Sequence, residues 1–262
     1  MKSIETNNKK QAGFTLVEIA VVLTIIGLLL GGILKGQELF NSARVRSLAD
    51  QNSAIQAAYH GFFDRYHQVP GDWCPTTNAG CPNSATAALG VTVNIGGNGN
   101  GRIDNNYTEA AAAWEQLGRA GFLGGGYRPA TAAPTTDVLY GGNAPSNAFA
   151  GSLVLSNNVG FSGPAAVAIL NLHLGPNVPV SVARELDVKV DDGLPNLGFL
   201  RMTKPNGGTE TDFDTLFAAT FATCTATAAS TPGSVTAGDG DDITDIFNIF
   251  EDAQDCAQVF LY

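Results

Sequence analysis

Charge is scarce along these 262 residues: Asp, Glu, Lys and Arg make up 15% of them, and acids outnumber bases 24 to 14, for a formal net charge of -10. The shortage of base excludes nucleic acid and anionic lipid as partners, since both are held by clustered Lys and Arg. Histidine is rarer still. His60 and His67 share a helix face seven residues apart, too far for a simple chelate, and His173 stands alone. No H-E-x-x-H, no G-x-S-x-G and no glycine loop ending in G-K-[ST] occurs, so the chain lacks the signatures of zinc proteases, α/β-hydrolases and P-loop enzymes. Asp191 and Asp192 precede Gly193 and Pro195, where they read as a helix end and an ordered turn rather than as an acid/base pair. An enzyme is not expected. Proline, finally, is absent before Pro70, which leaves a long N-terminal stretch free to be helical.

That stretch has two halves. From Phe14 to Leu34 the sole charge is Glu18, and a helix of that length spans ~30 Å, the thickness of a bilayer core. Lys2, Lys9 and Lys10 precede it, so the N-terminus is expected to stay cytoplasmic and everything from Lys35 onward to lie outside. A carboxylate at the middle of a membrane helix costs ~2.5 to 3.5 kcal/mol, less near the headgroups; Glu18 therefore needs a function or an escape to the interface. Beyond Lys35 the apolar residues Leu39, Phe40, Ala43, Val45, Leu48, Ile55, Ala58, Tyr59, Phe62 and Phe63 recur three and four apart. This spacing predicts an amphipathic continuation of the same helix to about Tyr66. Gly27, Gly31, Gly32 and Gly36 are its evident weak points.

"KKQAG" followed by "FTLVE" closely resembles the class III signal of type IV pilins and type II secretion pseudopilins. The resemblance implies that a prepilin peptidase cuts between Gly13 and Phe14 and methylates the new N-terminus at Phe14. It implies an organisation in which residues 1–13 are a removed leader, 14–36 a transmembrane and assembly helix, 37–66 the amphipathic half of that helix, and 67–262 a globular head. It also gives Glu18 a partner: in a filament, the charged amine of Phe14 on a neighbouring subunit, an attraction strengthened by the low dielectric of packed helices. The implied partners are homologous pilin subunits, the peptidase and an inner-membrane assembly platform. The implied location is the bacterial inner membrane, single-pass with a periplasmic head, and then a filament. The function expected is that of a structural subunit of a type IV pilus-like or type II secretion filament. The alternative is a minor pilin whose head is an adhesin or a substrate-binding module.

The head reads as α+β, a small antiparallel sheet of about four strands packed on the second half of the long helix. "YHQVPGDW" ends that helix, residues 74 to 107 read as loop, and "TEAAAAWEQLGRAGFLGG" as a helix capped by Thr108 and closed near Gly118 or Gly121, with Ala111, Trp114 and Leu117 inward. "GSLVLSN", "AVAILNLHL" and "GFLRMT" are expected strands, "PVSVARELDVKV" a helix with Pro179 near its start. Residues 203 to 242 read as a long surface loop, "ITDIFNIF" as a helix, and "CAQVFLY" as the strand that closes the sheet. "VPGDW", "GNGNGRI", Trp114, "RAGFL" and "ELDVKVDDGLPNLG" resemble the heads of bacterial prepilin-like proteins.

Four cysteines in an exported, loop-rich chain suggest two disulfides. Three pairings exist; Cys74 with Cys81 and Cys224 with Cys256 is the simplest, and the C-terminal disulfide loop common in pilins favours it. Zinc is the competing reading, with poor ligand spacing. Two loops are candidate calcium sites. In "GGNGNGRIDNN" the ligands would be Asn98, Asn100 and Asp104, although Gly96 and Tyr107 fall where an EF-type loop carries its first and twelfth acids. In "GDGDDITD" they would be Asp239, Asp241, Asp242 and Asp245. The plain alternative for both is a solvated Asp/Asn turn.

Overall fold

A computed structural model describes residues 15–78, 81–93, 95–129, 143–163, 167–204, 221–227, 245–249 and 253–262. It has the α+β architecture. Helix α1 runs Leu16–Tyr66, followed by α2 (Ala85–Leu89), α3 (Tyr107–Arg119), β1 (Val154–Asn158), β2 (Ile169–His173), α4 (Val180–Val190), β3 (Leu200–Met202), α5 (Phe221–Cys224), β4 (Thr225–Thr227), β5 (Asp245–Phe247) and β6 (Gln258–Leu261). The chain divides into two compact units, one ending at Ala43 and one running Arg44–Tyr262.

In the first unit the large apolar side chains from Leu16 to Leu34 are exposed, and α1 is the one described helix long and apolar enough to cross a membrane. Leu39 and Phe40, counted in the apolar stripe by sequence, are exposed as well. The stripe that is buried starts later. Val45, Leu48, Ile55, Ala58 and Phe62 are the buried residues of α1, all within the second unit, where they join the core formed by α3 and the strands.

The main sheet is antiparallel throughout, in the order β1-β2-β6-β3. The C-terminal strand does more than close it: β6 lies between β2 and β3, with Leu172 opposite Phe260 on one side and Leu200 opposite Phe260 on the other. Tyr262 then donates its hydroxyl to Asn52 Oδ1 at 2.6 Å, tying the C-terminus to α1. Helix α3 is buried from Glu109 through Leu117, and its run Ala110–Ala113 lets other backbone approach closely.

The turn after α1 uses that approach. Gly71 has φ +94°, and a Cβ there would stand 2.5 Å from the Glu109 carbonyl oxygen. Its amide donates to Gln116 Oε1 at 2.8 Å, while Gln116 Nε2 donates to the Trp73 carbonyl at 2.7 Å. One buried glutamine thus satisfies the donor and the acceptor of a sharp turn. Trp73 packs edge-on to Phe62 with ring centroids 6.0 Å apart, so the turn is locked onto α1.

Four expectations are corrected. Within 203–242, read as a surface loop, the described residues 221–227 form helix α5 and strand β4. The segment 74–107 contains a helix, α2, capped by Ser84 and ended by Gly90 in the left-handed region. Helix α3 is capped by Asn106, whose side chain accepts from the Glu109 amide, rather than by Thr108, which lies inside the helix. "ITDIFNIF" yields strand β5 instead of a helix. Asp245 and Phe247 are buried and Ile246 exposed, the two-residue alternation of a strand. β5 pairs with β4 in a separate two-stranded sheet, and the Asn248 amide donates to the Cys224 carbonyl. Pairing across the disulfide-bonded region overrides an apolar spacing that fits both periods.

Gly71→Ala should destabilise the head by about 1–3 kcal/mol, because it forces both a left-handed backbone and a clash. The measurement is the denaturant midpoint of the detergent-solubilised protein; an unchanged midpoint refutes the tight turn on α3.

Candidate functional site

The first site is the start of α1. Thr15 and Glu18 form a reciprocal cap: the Thr15 amide and hydroxyl both donate to Glu18 Oε2 at 2.8 Å, and the Glu18 amide donates to Thr15 Oγ1 at 3.3 Å. The T-x-x-E spacing is visible in the sequence, and it explains how this exposed helix end keeps two backbone donors satisfied. Glu18 Oε1 accepts no hydrogen bond from the described residues. At the other end of the apolar run Lys35 pairs with Glu38 at 2.6 Å, both exposed. Gly13 and Phe14 lie outside the described residues.

The second site is the loop at 96–109. Asn98 and Asn100 converge on Asp104, each amide nitrogen donating to Asp104 Oδ2, at 2.9 and 3.0 Å. The carboxylate that organises the loop comes from elsewhere. Asp72, in the turn after α1, accepts the amides of Gly99 and Asn100 on Oδ1 and that of Gly101 on Oδ2. Gly97 permits it, since a Cβ there would stand 2.5 Å from Asp72 Cα. Glu109 completes the group, accepting from Asn98 Nδ2 at 3.1 Å and from the Asp104 amide at 2.7 Å. Neither Asp72 nor Glu109 stands out in the sequence, because they are brought to the loop by a distant turn and by the first turn of α3. A signal for Glu109 exists in the N-x-x-E cap.

Burial first, then the neighbouring charges of Asp104 and Asp72, pushes the Glu109 carboxyl up to about 7, against the pull of the Asp104 amide and Arg102. Burial also opposes the charge on Asp104, but hydrogen bonds from Asn100, Arg102 and Asn98 outweigh it and hold that carboxyl below its usual range. Of the second candidate loop, Asp239, Asp241 and Asp242 lie outside the described residues. Asp245 is fully buried in β5, opposite Thr227.

The cysteines pair as Cys74–Cys81 and Cys224–Cys256, with Cα atoms 6.1 and 5.7 Å apart, and no described cysteine is free. His60 and His67 are exposed on the surface. His173 is fully buried beside Asn158, 2.7 Å away, and burial lowers its pKa to about 3. A histidine held neutral and away from water belongs to the polar network of β1 and β2, which includes Ser156 and Asn171. Asp191 ends α4 and accepts from the amides of Phe199 and Leu200, while Asp192 accepts from Leu194, so both order the turn.

A family model described as the prokaryotic N-terminal methylation motif matches residues 8–34, the span that contains the capped helix start and the exposed apolar run. The chain carries the class III signal of type IV pilins and pseudopilins. A signal of this kind is one that prepilin peptidase processes. No curated protein and no solved structure matches the chain. The signal and the apolar helix together are consistent with membrane anchoring.

The raised carboxyl of Glu109 sets a pH dependence. Its folded pKa lies above its ordinary 4.5, so its contribution to stability is full below about 4.5 and is lost as pH rises through about 7. Melting temperatures measured across that window should fall less steeply for Glu109→Gln than for the wild type; parallel curves would show that Glu109 does not titrate there.

Proposed function

We propose that the chain is a structural subunit of a type IV pilus-like or type II secretion filament. The observation that carries this reading is the methylation motif at the head of a helix whose apolar residues from Leu16 to Leu34 are exposed. In water such a surface has no stable partner except lipid or other helices like it. Lipid serves before assembly, with the helix crossing the inner membrane once and the head in the periplasm. Homologous subunits serve afterwards, when the helices leave the bilayer and pack into a bundle. The prepilin peptidase cuts between Gly13 and Phe14 and methylates Phe14, and an inner-membrane platform extracts the subunit.

Glu18 fixes the axial register of that bundle. One of its oxygens caps its own helix, and the other is left for the charged N-terminal amine of Phe14 on the adjacent subunit. An unpaired carboxylate within the bundle is penalised by desolvation, so registers that leave Glu18 alone are disfavoured. The cap keeps the carboxylate in place before the neighbour arrives.

Processing at the glycine requires a small residue there. Gly13→Leu should leave a full-length precursor in the inner membrane, detected by its larger mass on immunoblots; normal trimming in cells expressing the peptidase would refute the cleavage site.

Glu18→Gln separates the charge from the cap, because glutamine also completes this type of cap whereas alanine does not. Both Glu18→Gln and Glu18→Ala should insert and be processed, and both should fail to build filaments when they are the sole subunit. Filaments of wild-type density from Glu18→Gln, seen by electron microscopy, would refute the charge pair.

A further inference from the structure

A second acidic group lies where α4 runs into the turn 191–199. Asp187, Asp191 and Asp192 each offer one carboxylate oxygen to the group, and these oxygens all lie within 4.8 Å of one another. Each residue also holds the turn: Asp187 Oδ1 accepts from the Gly193 amide at 2.9 Å, Asp191 Oδ2 from Phe199 and Leu200, and Asp192 Oδ1 from Leu194. Asp187 is fully buried, yet its Oδ2 has no hydrogen-bond partner. A buried carboxylate oxygen without a partner is costly, and here it sits among like charges at the negative end of a helix dipole. Asp191 is half-buried and Asp192 exposed, so the group is graded from the interior to solvent.

The surrounding bases do not neutralise it. Lys189 is paired with Glu185 at 2.6 Å. Arg201 is close enough to feel the charges of Asp191 and Asp192, but its guanidinium donates to the Gly198 and Ser162 carbonyls and lies over the Phe161 ring. Among the described residues no ion pair to the three carboxylates is present.

We propose that Asp187, Asp191 and Asp192 bind one hard divalent cation of calcium size, entering from the Asp192 side and closing on Asp187 Oδ2. Calcium takes oxygen ligands at ~2.3–2.6 Å, so ligands on opposite sides stand up to ~5 Å apart, which the span of the group fits. The cation joins the end of α4 to the start of β3 through the turn that these aspartates already order.

The test uses the full chain in detergent micelles, stripped with a chelator at neutral pH and titrated with calcium chloride. Isothermal titration should show one saturable site, with a dissociation constant in the range ~10⁻⁴ to 10⁻³ M that suits an extracellular module, and the melting temperature should rise with calcium. Asp187→Asn, isosteric and neutral, should weaken binding at least tenfold. Asp192→Asn, an exposed change that keeps the Oδ1 acceptor of the Leu194 amide, should weaken it several-fold. Asp104→Asn should leave it unchanged. The proposal is overturned by an absence of saturable binding up to ~10 mM, about ten times the upper end of that range. It is equally overturned if binding survives in both Asp187→Asn and Asp192→Asn, or is lost in Asp104→Asn alone, which would move the cation to the 96–109 loop. A rise in melting temperature on Asp187→Asn with no response to calcium would show that a proton relieves the group instead.

Discussion

Val45, Leu48, Ile55 and Phe62 recur along α1 at intervals of three and seven residues, and all are nearly or fully inaccessible to solvent. That seam is the surface on which the core of the Arg44–Tyr262 unit is assembled. Phe62 alone meets Tyr66, Trp73 and Phe122 at ring centroid distances between 4.9 and 6.1 Å. Through Trp73 it reaches the turn held by Gln116, and through that turn the buried helix α3. The seam occupies one side only, as an amphipathic helix requires. Before Lys35 the helix is apolar on all sides instead, the pattern of a helix surrounded by lipid or by other helices. One continuous element thus answers to two environments, and the change from uniform to one-sided apolarity lies in its sequence.

This change makes the long helix legible from sequence alone, as do the apolar runs that form β1, β2 and β3 and the C-terminal strand. Sequence misleads where local signals are degenerate. Thr108 and Asn106 are both good capping residues, and only the second has Glu109 in the right place. Three residues of β5 cannot establish a period, and their strand character comes from pairing with β4, more than fifteen residues away in sequence. Asp72 and Glu109 are invisible as members of the 96–109 loop for a similar reason: their proximity is created by the turn at Gly71 folding over α3. Leu39 and Phe40 fit the helical stripe by spacing, but spacing does not say where along a helix its covered portion begins.

The acidic balance of the chain raises the question of how buried carboxylates are tolerated. Asp72 shows one solution, three backbone amides of a glycine-rich turn converging on it. Such amides act as a fixed positive pole and require no basic side chain. The same device recurs after α4, where Gly193, Leu194, Phe199 and Leu200 donate to the aspartates of that turn. Glycine and asparagine abundance in the head is therefore tied to its poverty in Lys and Arg: turns supply the donors that side chains do not. The device falls short at Glu109 and Asp187, which burial and neighbouring acids drive toward their neutral forms.

The same accounting of donors applies to Glu18. The first turn of a helix exposes backbone amides that have no partner within the helix. Thr15 and Glu18 satisfy two of them reciprocally, so the carboxylate has a purpose in a single subunit, before any filament exists. That purpose lowers the cost of carrying an acid in an apolar segment, because the charge is already hydrogen-bonded when it approaches the hydrocarbon. It also orients the group. With Oε2 held by Thr15, the carboxylate is fixed against the first turn of its helix rather than left to sample the rotamers of a free glutamate. In the filament proposed above, a neighbouring amine arriving at that turn would meet a positioned acceptor, and less side-chain entropy would remain to be lost when the subunits pair.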